Sequence, residues 1–194
     1  GYPQSTSSFS LLAHEALIDA SWEKYIKPLL RYKFPGATEE ELKNAHAFAY
    51  GGAIMPDIGY YPLGSLEFSN LVHYMRSGDF VNALLEESQN IQEYAFALGV
   101  LCHYEADTFG HSLGINKAVP ILFSRLRKKN GKEVTYEQGR DQHKRVELGF
   151  DVLQTAKGNY RSNAYHDFIA FRVNEPVLER AFFKNVRHSS RGYF

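Results

Sequence analysis

Residues that bind metal ions recur at every fourth position near the middle of the chain, as His103, Asp107 and His111. The apolar spacing from Asn90 to Gly114 predicts a helix, on which a step of four residues advances about 6 Å and rotates about 40°. The three side chains therefore share one predicted face, which continues the apolar stripe and points inward. Burying such groups without partners costs on the order of several kcal/mol, and metal ions would satisfy all three.

That spacing alone also fits an internally hydrogen-bonded polar stripe or a solvated helix face. Candidate ligands elsewhere in the chain favour a metal site. His143 and Glu147 are again four apart on another predicted helix. His14 lies among apolar residues of the first predicted helix, His73 lies on a third helix, and Asp57 lies in a Pro-Asp-Ile-Gly loop. Metal sites in helical bundles are built by such side chains from several helices.

The rest of the chain has the pattern of successive helices. Thr38 and Glu41 form a capping box at the start of one helix, and Asn174 caps the last one. Glycines and prolines predict a loop over residues 51–65, and residues 127–133 have the composition of an exposed loop. No convincing strand is present, which predicts an all-α helical bundle: one domain over residues 9–194 after a polar tail of residues 1–8. The predicted helices span residues 11–32, 38–51, 66–76, 77–87, 90–114, 117–126, 135–157, 163–172 and 176–186.

Charge and cysteine content limit the function classes. Twenty-two lysines and arginines balance twenty-two aspartates and glutamates, which disfavours a dedicated nucleic-acid-binding protein. The single cysteine, Cys102, cannot form an internal disulfide. No apolar run approaches the roughly 18 residues of a transmembrane helix, and no signal peptide is visible.

The motifs resemble those of the zinc-dependent phospholipase C / S1–P1 nuclease superfamily, an all-α fold with three zinc ions in a cleft. The resemblance runs from about Phe9 to Glu147 and lies closer to the phospholipase C branch. The His-x3-Glu pair at His143 is similar to the last ligand pair of bacterial phospholipases C, whereas the nuclease pair ends in aspartate. The motifs that carry the resemblance are FSLLAHE at residues 9–15, Pro56-Asp57, His73, HYEADTFGHS at residues 103–112 and His143-x3-Glu147.

The resemblance implies a ligand set for each metal. One zinc would be held by Asp57, His73, His103 and Asp107, and a second by His111, His143 and Glu147. His14 and a bridging Asp107 would contribute to a third zinc, which the family completes with the terminal amine of its N-terminal aromatic residue. Phe9 stands at that position here but follows eight residues. Ile58 stands where choline-hydrolysing enzymes have an aromatic residue, which argues against choline specificity.

The activity implied is hydrolysis of a phosphodiester in a phospholipid or a related substrate. A metal-bound hydroxide would attack the phosphorus, and Asp57 would orient or deprotonate it. Two zinc ions are expected, with a third possible, together with transient contact with a membrane surface. A secreted or periplasmic location follows from the resemblance. A nuclease acting on single-stranded nucleic acid and a catalytically inactive metal-binding bundle are the alternatives.

Three further polar residues near the motifs are expected to have no ligand role. His46 is expected to be a packing or hydrogen-bonded histidine of its helix. Glu105, one position off the ligand face, and Asp141, beside the last ligand pair, are expected to be exposed to solvent.

Overall fold

The structure, a computed structural model, describes residues 8–60, 64–65, 67–69, 72, 77–158 and 172–191. Within these ranges all regular secondary structure is helical, which confirms the all-α prediction. None of the described helices is long and apolar enough to span a bilayer. The α-helices are α1 (Ser8–Ser21), α2 (Lys27–Lys33), α3 (Glu39–Ile54), α4 (Ser77–Glu87), α5 (Ile91–Phe109), α6 (Asn116–Leu122), α7 (Ser124–Asn130), α8 (Arg140–Ala156) and α9 (Glu175–Arg191).

Helices α3 and α5 form the central pair of the fold, and two glycines allow the close backbone contact. A Cβ atom on Gly52 would overlap the carbonyl of Phe96, and one on Gly99 would overlap the carbonyl of Ala49. The loop predicted over residues 51–65 was therefore wrong for its first half. Gly51 and Gly52 continue α3, and a 3₁₀ helix over Met55–Tyr60 follows. Gly52 serves close packing between helices, and Gly51 lies against the backbone of Arg172, so neither glycine forms a turn.

Two apolar clusters flank this pair. One joins α1 and α2 to α3 and the start of α5, with Trp22, Leu30 and Tyr50 among its members. The other joins α4 and α9 to α5, with Phe80 and Phe96 among its members. Helix α5 is thus buried on several sides for most of its length, and only its last turns reach partly accessible surroundings.

The predicted helix 11–32 is interrupted by a wider turn. Between α1 and α2 lies a π-helix over Trp22–Ile26, in which the N–H of Lys27 bonds the carbonyl of Trp22. Pro28 follows in the first turn of α2. Proline lacks an N–H and its ring clashes with the carbonyl four residues earlier, so the wider turn lets the chain stay helical past it.

Two other boundaries differ from prediction. The helix expected over residues 117–126 is divided at Phe123, which leaves the helical region with φ −120° and ψ 87°. The loop expected over residues 127–133 was wrong for residues 127–130, which complete α7. Arginine and lysine favour helix, and cations in the last turn complement the helix dipole. Gly131 ends α7 with a φ of 90°, a conformation that glycine adopts readily.

The predicted caps are present. Thr38 and Glu41 form the expected capping box, with the Thr38 amide donating to Glu41 Oε2 at 2.8 Å. The side chain of Asn174 accepts from the amide of Val177 at 3.3 Å, and α9 then runs beyond the predicted end at residue 186. Most of the predicted helix 66–76 and nearly all of helix 163–172 lie outside the described residues, as do residues 1–7 of the predicted tail.

Candidate metal centre

Four predicted ligands meet where α1, α5 and the 3₁₀ helix after α3 come together; we call His14, Asp57, His103 and Asp107 the inner cluster. His14 Nε2 lies 3.6 Å from Asp107 Oδ1 and 3.9 Å from Asp57 Oδ2. His103 Nε2 lies 3.2 Å from Asp107 Oδ2. The two imidazole rings stack with centroids 4.1 Å apart. Two imidazoles and two carboxylates thus converge from three elements of the chain.

The backbone of α3 determines the tautomer of His103. Its Nδ1 lies 2.8 Å from the carbonyl oxygen of Ala53, and because a carbonyl can only accept, Nδ1 carries the proton. Nε2 is therefore the nitrogen that faces Asp107. A backbone acceptor that holds the outer nitrogen of an imidazole is the usual arrangement for a metal-binding histidine. His103 is fully buried, so this orientation is also held by packing.

Electrostatics within the inner cluster favour a positive charge. Burial opposes ionisation of His103, but the hydrogen bond and charge of Asp107, with the charge of Asp57, raise the pKa of His103. Burial likewise opposes ionisation of Asp107, and the neighbouring His103 and His14 nevertheless lower the pKa of Asp107. Asp107 is thus a carboxylate, and a cation placed among these groups would satisfy the same charges.

Three of the remaining four predicted ligands form a second group; we call His111, His143 and Glu147 the outer cluster. His111 Nε2 lies 3.6 Å from Glu147 Oε1, and the rings of His111 and His143 stack with centroids 5.8 Å apart. In each cluster three residues offer ligand atoms that all lie within 4.8 Å of one another. His14, His103 and Asp107 form that set in the inner cluster.

His143 is held in the opposite way to His103. Its Nε2 lies 2.7 Å from the carbonyl of Val134, so Nε2 carries the proton and Nδ1 is the nitrogen left for a ligand. Nδ1 of His143 and Nδ1 of His111 are both buried with no hydrogen-bond partner among the described residues. Burial, together with the nearby His111, lowers the pKa of His143. His143 is thus the neutral imidazole that metals bind.

The chain matches the family model for zinc-dependent phospholipase C over residues 13–188, a range that includes all eight predicted ligands. This chain belongs to the zinc-dependent phospholipase C family. Comparison with curated proteins and with solved structures gave no match at all. The family is one of zinc-dependent hydrolases, and the sequence resemblance to it is confirmed.

The donor chemistry of both clusters fits the zinc of this family. Zinc prefers imidazole nitrogen and carboxylate oxygen, and every member of the two clusters supplies one or the other. In the outer cluster, the buried nitrogens of His111 and His143 lack a partner that a zinc ion would provide. In the inner cluster, the tautomer of His103 presents Nε2 to the carboxylate of Asp107. The residues are therefore suited to zinc in both places.

A π-helix separates the two clusters. The spacing of four predicted that His103, Asp107 and His111 share one face, but they divide: the first two join the inner cluster, and His111 joins α8 in the outer one. The division comes where α5 passes into a π-helix over Gly110–Ile115, whose wider turn begins just before His111. Such turns within helices are frequent at functional sites.

The other predictions near the site have mixed outcomes. His73 lies outside the described residues, so its ligand role stays a prediction. His46 packs as expected: its ring stacks on Trp22 with centroids 3.9 Å apart, and its Nε2 lies 3.1 Å from Asp19 Oδ1. Glu105 and Asp141 are exposed, also as expected.

Sequence reasoning missed the groups that support the ligands. The carbonyls of Ala53 and Val134 orient two histidines, and backbone atoms leave no mark in the residue pattern. Tyr104 lies edge-on to His103 and donates to the carbonyl of Val72 at 2.8 Å. Glu15 follows His14, and burial together with the nearby Asp19 raises the pKa of Glu15 to about 7. A carboxylate within the apolar run LLAHEALI was the one signal available for Glu15.

Proposed function

We propose that this chain is a phospholipase C, which hydrolyses the bond between diacylglycerol and the phosphate head group of a phospholipid. Membership of the zinc-dependent phospholipase C family supports a hydrolase with zinc. The observation that carries the proposal is the convergence of imidazoles and carboxylates in two neighbouring clusters joined by one continuous helical segment. Two-metal sites of this composition are suited to phosphodiesters.

Zinc, when bound, supplies Lewis-acid stabilisation of the phosphate charge and lowers the pKa of water toward about 7. The chain itself provides the ligands and keeps them in place. Asp107 lies within 3.6 Å of both His14 and His103 and would hold zinc together with them. The carbonyls of Ala53 and Val134 keep His103 and His143 in complementary tautomers, so that no ring must turn before it binds.

Asp57 is the residue to which we assign the proton transfer. Asp57 is buried within the inner cluster, and its Oδ2 lies 3.9 Å from His14 Nε2. During hydrolysis the water oxygen forms a bond to phosphorus, and the bond from phosphorus to the diacylglycerol oxygen breaks. Asp57 accepts the proton that the water loses, and the departing oxygen takes up a proton to give free diacylglycerol.

The test is hydrolysis by protein purified without added zinc, with its metal content measured by elemental analysis. Substrates are short-chain phospholipids with choline, ethanolamine, glycerol or inositol head groups, and release of diacylglycerol is measured. Single-stranded DNA is assayed in parallel. We expect bound zinc and diacylglycerol release; DNA cleavage without lipid hydrolysis would show a nuclease instead, and zinc without turnover would show an inactive metal-binding bundle.

The role of Asp57 is tested by Asp57→Asn, with Glu105→Gln as the matched control. The asparagine keeps an oxygen that can ligate, so zinc content should stay near the wild-type value. Loss of the base should lower kcat by about 10²- to 10⁴-fold. Glu105 is an exposed carboxylate between two ligands, and Glu105→Gln should leave both quantities unchanged. Wild-type kcat in Asp57→Asn would refute the assignment.

A further inference from the structure

The segment that follows the inner cluster along the chain has an unusual charge. Between Asp107 and Glu133 there is no acidic residue, and the six basic residues there are all exposed. We call residues 108–132 the cationic arm. None of its six cations forms an ion pair with a described residue. They are Lys117, Arg125, Arg127, Lys128, Lys129 and Lys132.

The charge of the arm is opposite to that of the rest of the chain. The whole chain has equal numbers of basic and acidic residues, so the remainder carries six more acidic than basic residues. A protein with this asymmetry is oriented near an anionic surface, because the arm is attracted and the remainder is repelled.

Large apolar side chains are exposed on the same arm. Phe109, Leu113, Ile121 and Leu122 are 56%, 65%, 74% and 66% exposed. Ile121 and Leu122 lie at the corner where the chain leaves α6 at Phe123 and enters α7. Adjacent aliphatic side chains at a corner, flanked by unpaired cations, match the chemistry of a bilayer interface, which offers anionic head groups above an apolar layer.

The arm is also continuous with the candidate metal centre. Phe109, the last residue of α5, lies two residues before His111 in the sequence, and Leu113 on the π-helix lies two residues after it. Residue Leu148, which follows the ligand Glu147 on α8, is a further exposed apolar side chain at 44%. A bilayer bound by the arm would therefore meet the segment of chain that also carries His111 of the outer cluster.

We propose that the cationic arm is the surface with which this protein docks on an anionic phospholipid bilayer, with Ile121 and Leu122 entering its interfacial layer. The proposal deepens the proposed function and rests on it for the identity of the substrate. Nucleic acid would attract the cations, but it does not explain the protruding aliphatic side chains. A bilayer offers both anionic head groups and an apolar layer, and so accounts for both features.

The test is co-sedimentation of the chain with vesicles of phosphatidylcholine alone and of phosphatidylcholine mixed with phosphatidylserine. We expect binding to the mixed vesicles that weakens as salt is raised, and much weaker binding to the neutral ones. Lys128→Glu combined with Lys129→Glu should lower the partition by at least about tenfold. Lys43→Glu combined with Lys157→Glu makes the same change in charge at exposed positions elsewhere and should have little effect.

The apolar part of the proposal has its own matched pair. Ile121→Gln combined with Leu122→Gln should lower vesicle partition by about tenfold or more, since interfacial binding scales with buried apolar area. Tyr32 is 87% exposed on α2, and Tyr32→Gln should leave binding unchanged. Both variants are at exposed positions, and thermal melting will show that they fold.

Other results would overturn the proposal. These are no binding of wild-type protein to mixed vesicles, equal losses in arm and control variants, or an arm that binds single-stranded DNA and not vesicles. A dimer in gel filtration that Ile121→Gln with Leu122→Gln makes monomeric, without vesicle binding, would identify the arm as an interface between copies. Hydrolysis of dispersed short-chain phospholipid is measured on the same variants. Vesicle binding without any hydrolysis would refute the proposed function and support the docking surface. Hydrolysis without vesicle binding would support the proposed function and refute the docking surface.

Discussion

The inner and outer clusters use the same residue types in different surroundings. In the inner cluster His14, Asp57 and His103 are buried, and helices α1, α3 and α5 pack around them. In the outer cluster His143 is buried, but the side chains of His111 and Glu147 are 35% and 31% exposed. Three of the four inner candidate ligands lie in the core, although the side chain of Asp107 is 33% exposed. The outer candidate ligands come from a π-helix and from α8.

This difference suggests a division of labour between the clusters. A metal at the inner cluster is enclosed by the helices that form the centre of the structure, so its loss should affect the whole fold. A metal at the outer cluster is accessible to solvent and should exchange more readily and meet the substrate first. Metal content, stability and activity should therefore respond differently to changes in each cluster.

The largest effect is expected from Asp107→Asn in the inner cluster. Asp107 lies within 3.6 Å of both His14 and His103, and neutralising it removes the nearer of the two carboxylates beside these buried imidazoles. Because this residue is a proposed direct ligand, activity should fall by more than the roughly 100-fold that loss of an outer-shell partner can cost. Zinc stoichiometry and kcat measure the effect, with Glu105→Gln as control; unchanged zinc binding would remove the distinction between the clusters.

His143→Ala should weaken zinc binding at the outer cluster and leave the inner cluster unchanged. Its Nδ1 is the proposed ligand atom, and without it the affinity of that cluster for zinc should fall at least about tenfold. In wild-type protein a chelator should remove zinc in a fast and a slow phase, and His143→Ala should lack the fast phase.

Lys144→Ala, an exposed neighbour on α8, serves as the control for His143→Ala and should keep both phases. Loss of the slow phase in His143→Ala would show that the two clusters are a single cooperative site.

Gly99→Ala tests whether the inner cluster depends on the central helix pair. A methyl group there would overlap the carbonyl of Ala49, push α3 away from α5 and displace the Ala53 carbonyl that orients His103. Overpacking of this kind costs about 1–3 kcal/mol, measured as a lower free energy of unfolding. The rate of the slow phase of zinc removal should increase more than the rate of the fast phase.

Gly78→Ala is the matched control for that substitution, because a methyl group on Gly78 in α4 meets no neighbouring atom. Gly78→Ala should leave the free energy of unfolding unchanged or slightly higher, since alanine stabilises a helix more than glycine does. Equal destabilisation by the two substitutions would contradict the role of the close helix contact.

The smallest effect is expected from Gln138→Ala beside the outer cluster. The Gln138 side chain accepts from the amide of Thr135 at 2.9 Å and so supports the turn that presents the Val134 carbonyl to His143. Loss of one such hydrogen bond costs about 1 kcal/mol. We expect a small fall in melting temperature together with weaker zinc binding in the fast phase.

Glu41→Ala provides the comparison, because Glu41 caps α3 in the same way at the end away from the clusters. Glu41→Ala should destabilise the first turn of α3, while the rates of the fast and slow phases of zinc removal stay unchanged. Faster zinc removal from Glu41→Ala would indicate that any loss of folding stability weakens zinc binding, whether or not it occurs near the clusters.

The candidate ligands could be proposed from the sequence because their residue types and spacing are local features of the chain. His103, Asp107 and His111 stand out by spacing on one helix, as do His143 and Glu147 on another. The division of His111 from the first two was not derivable from that spacing, which assumes a regular helix. It depends on the π-helix over Gly110–Ile115, whose wider turn shows no distinct signal in the sequence.

The sequence by itself determined the helical class, the caps at Thr38 and Asn174, and the residue types of the site. These properties depend on periodicity and on contacts between residues three or four apart. Tertiary structure alone decided which nitrogen of His103 and of His143 is free to bind, and that Gly51 and Gly52 are helical. Those outcomes depend on carbonyls and helices that come close only when distant segments pack, and backbone atoms are the same in every residue.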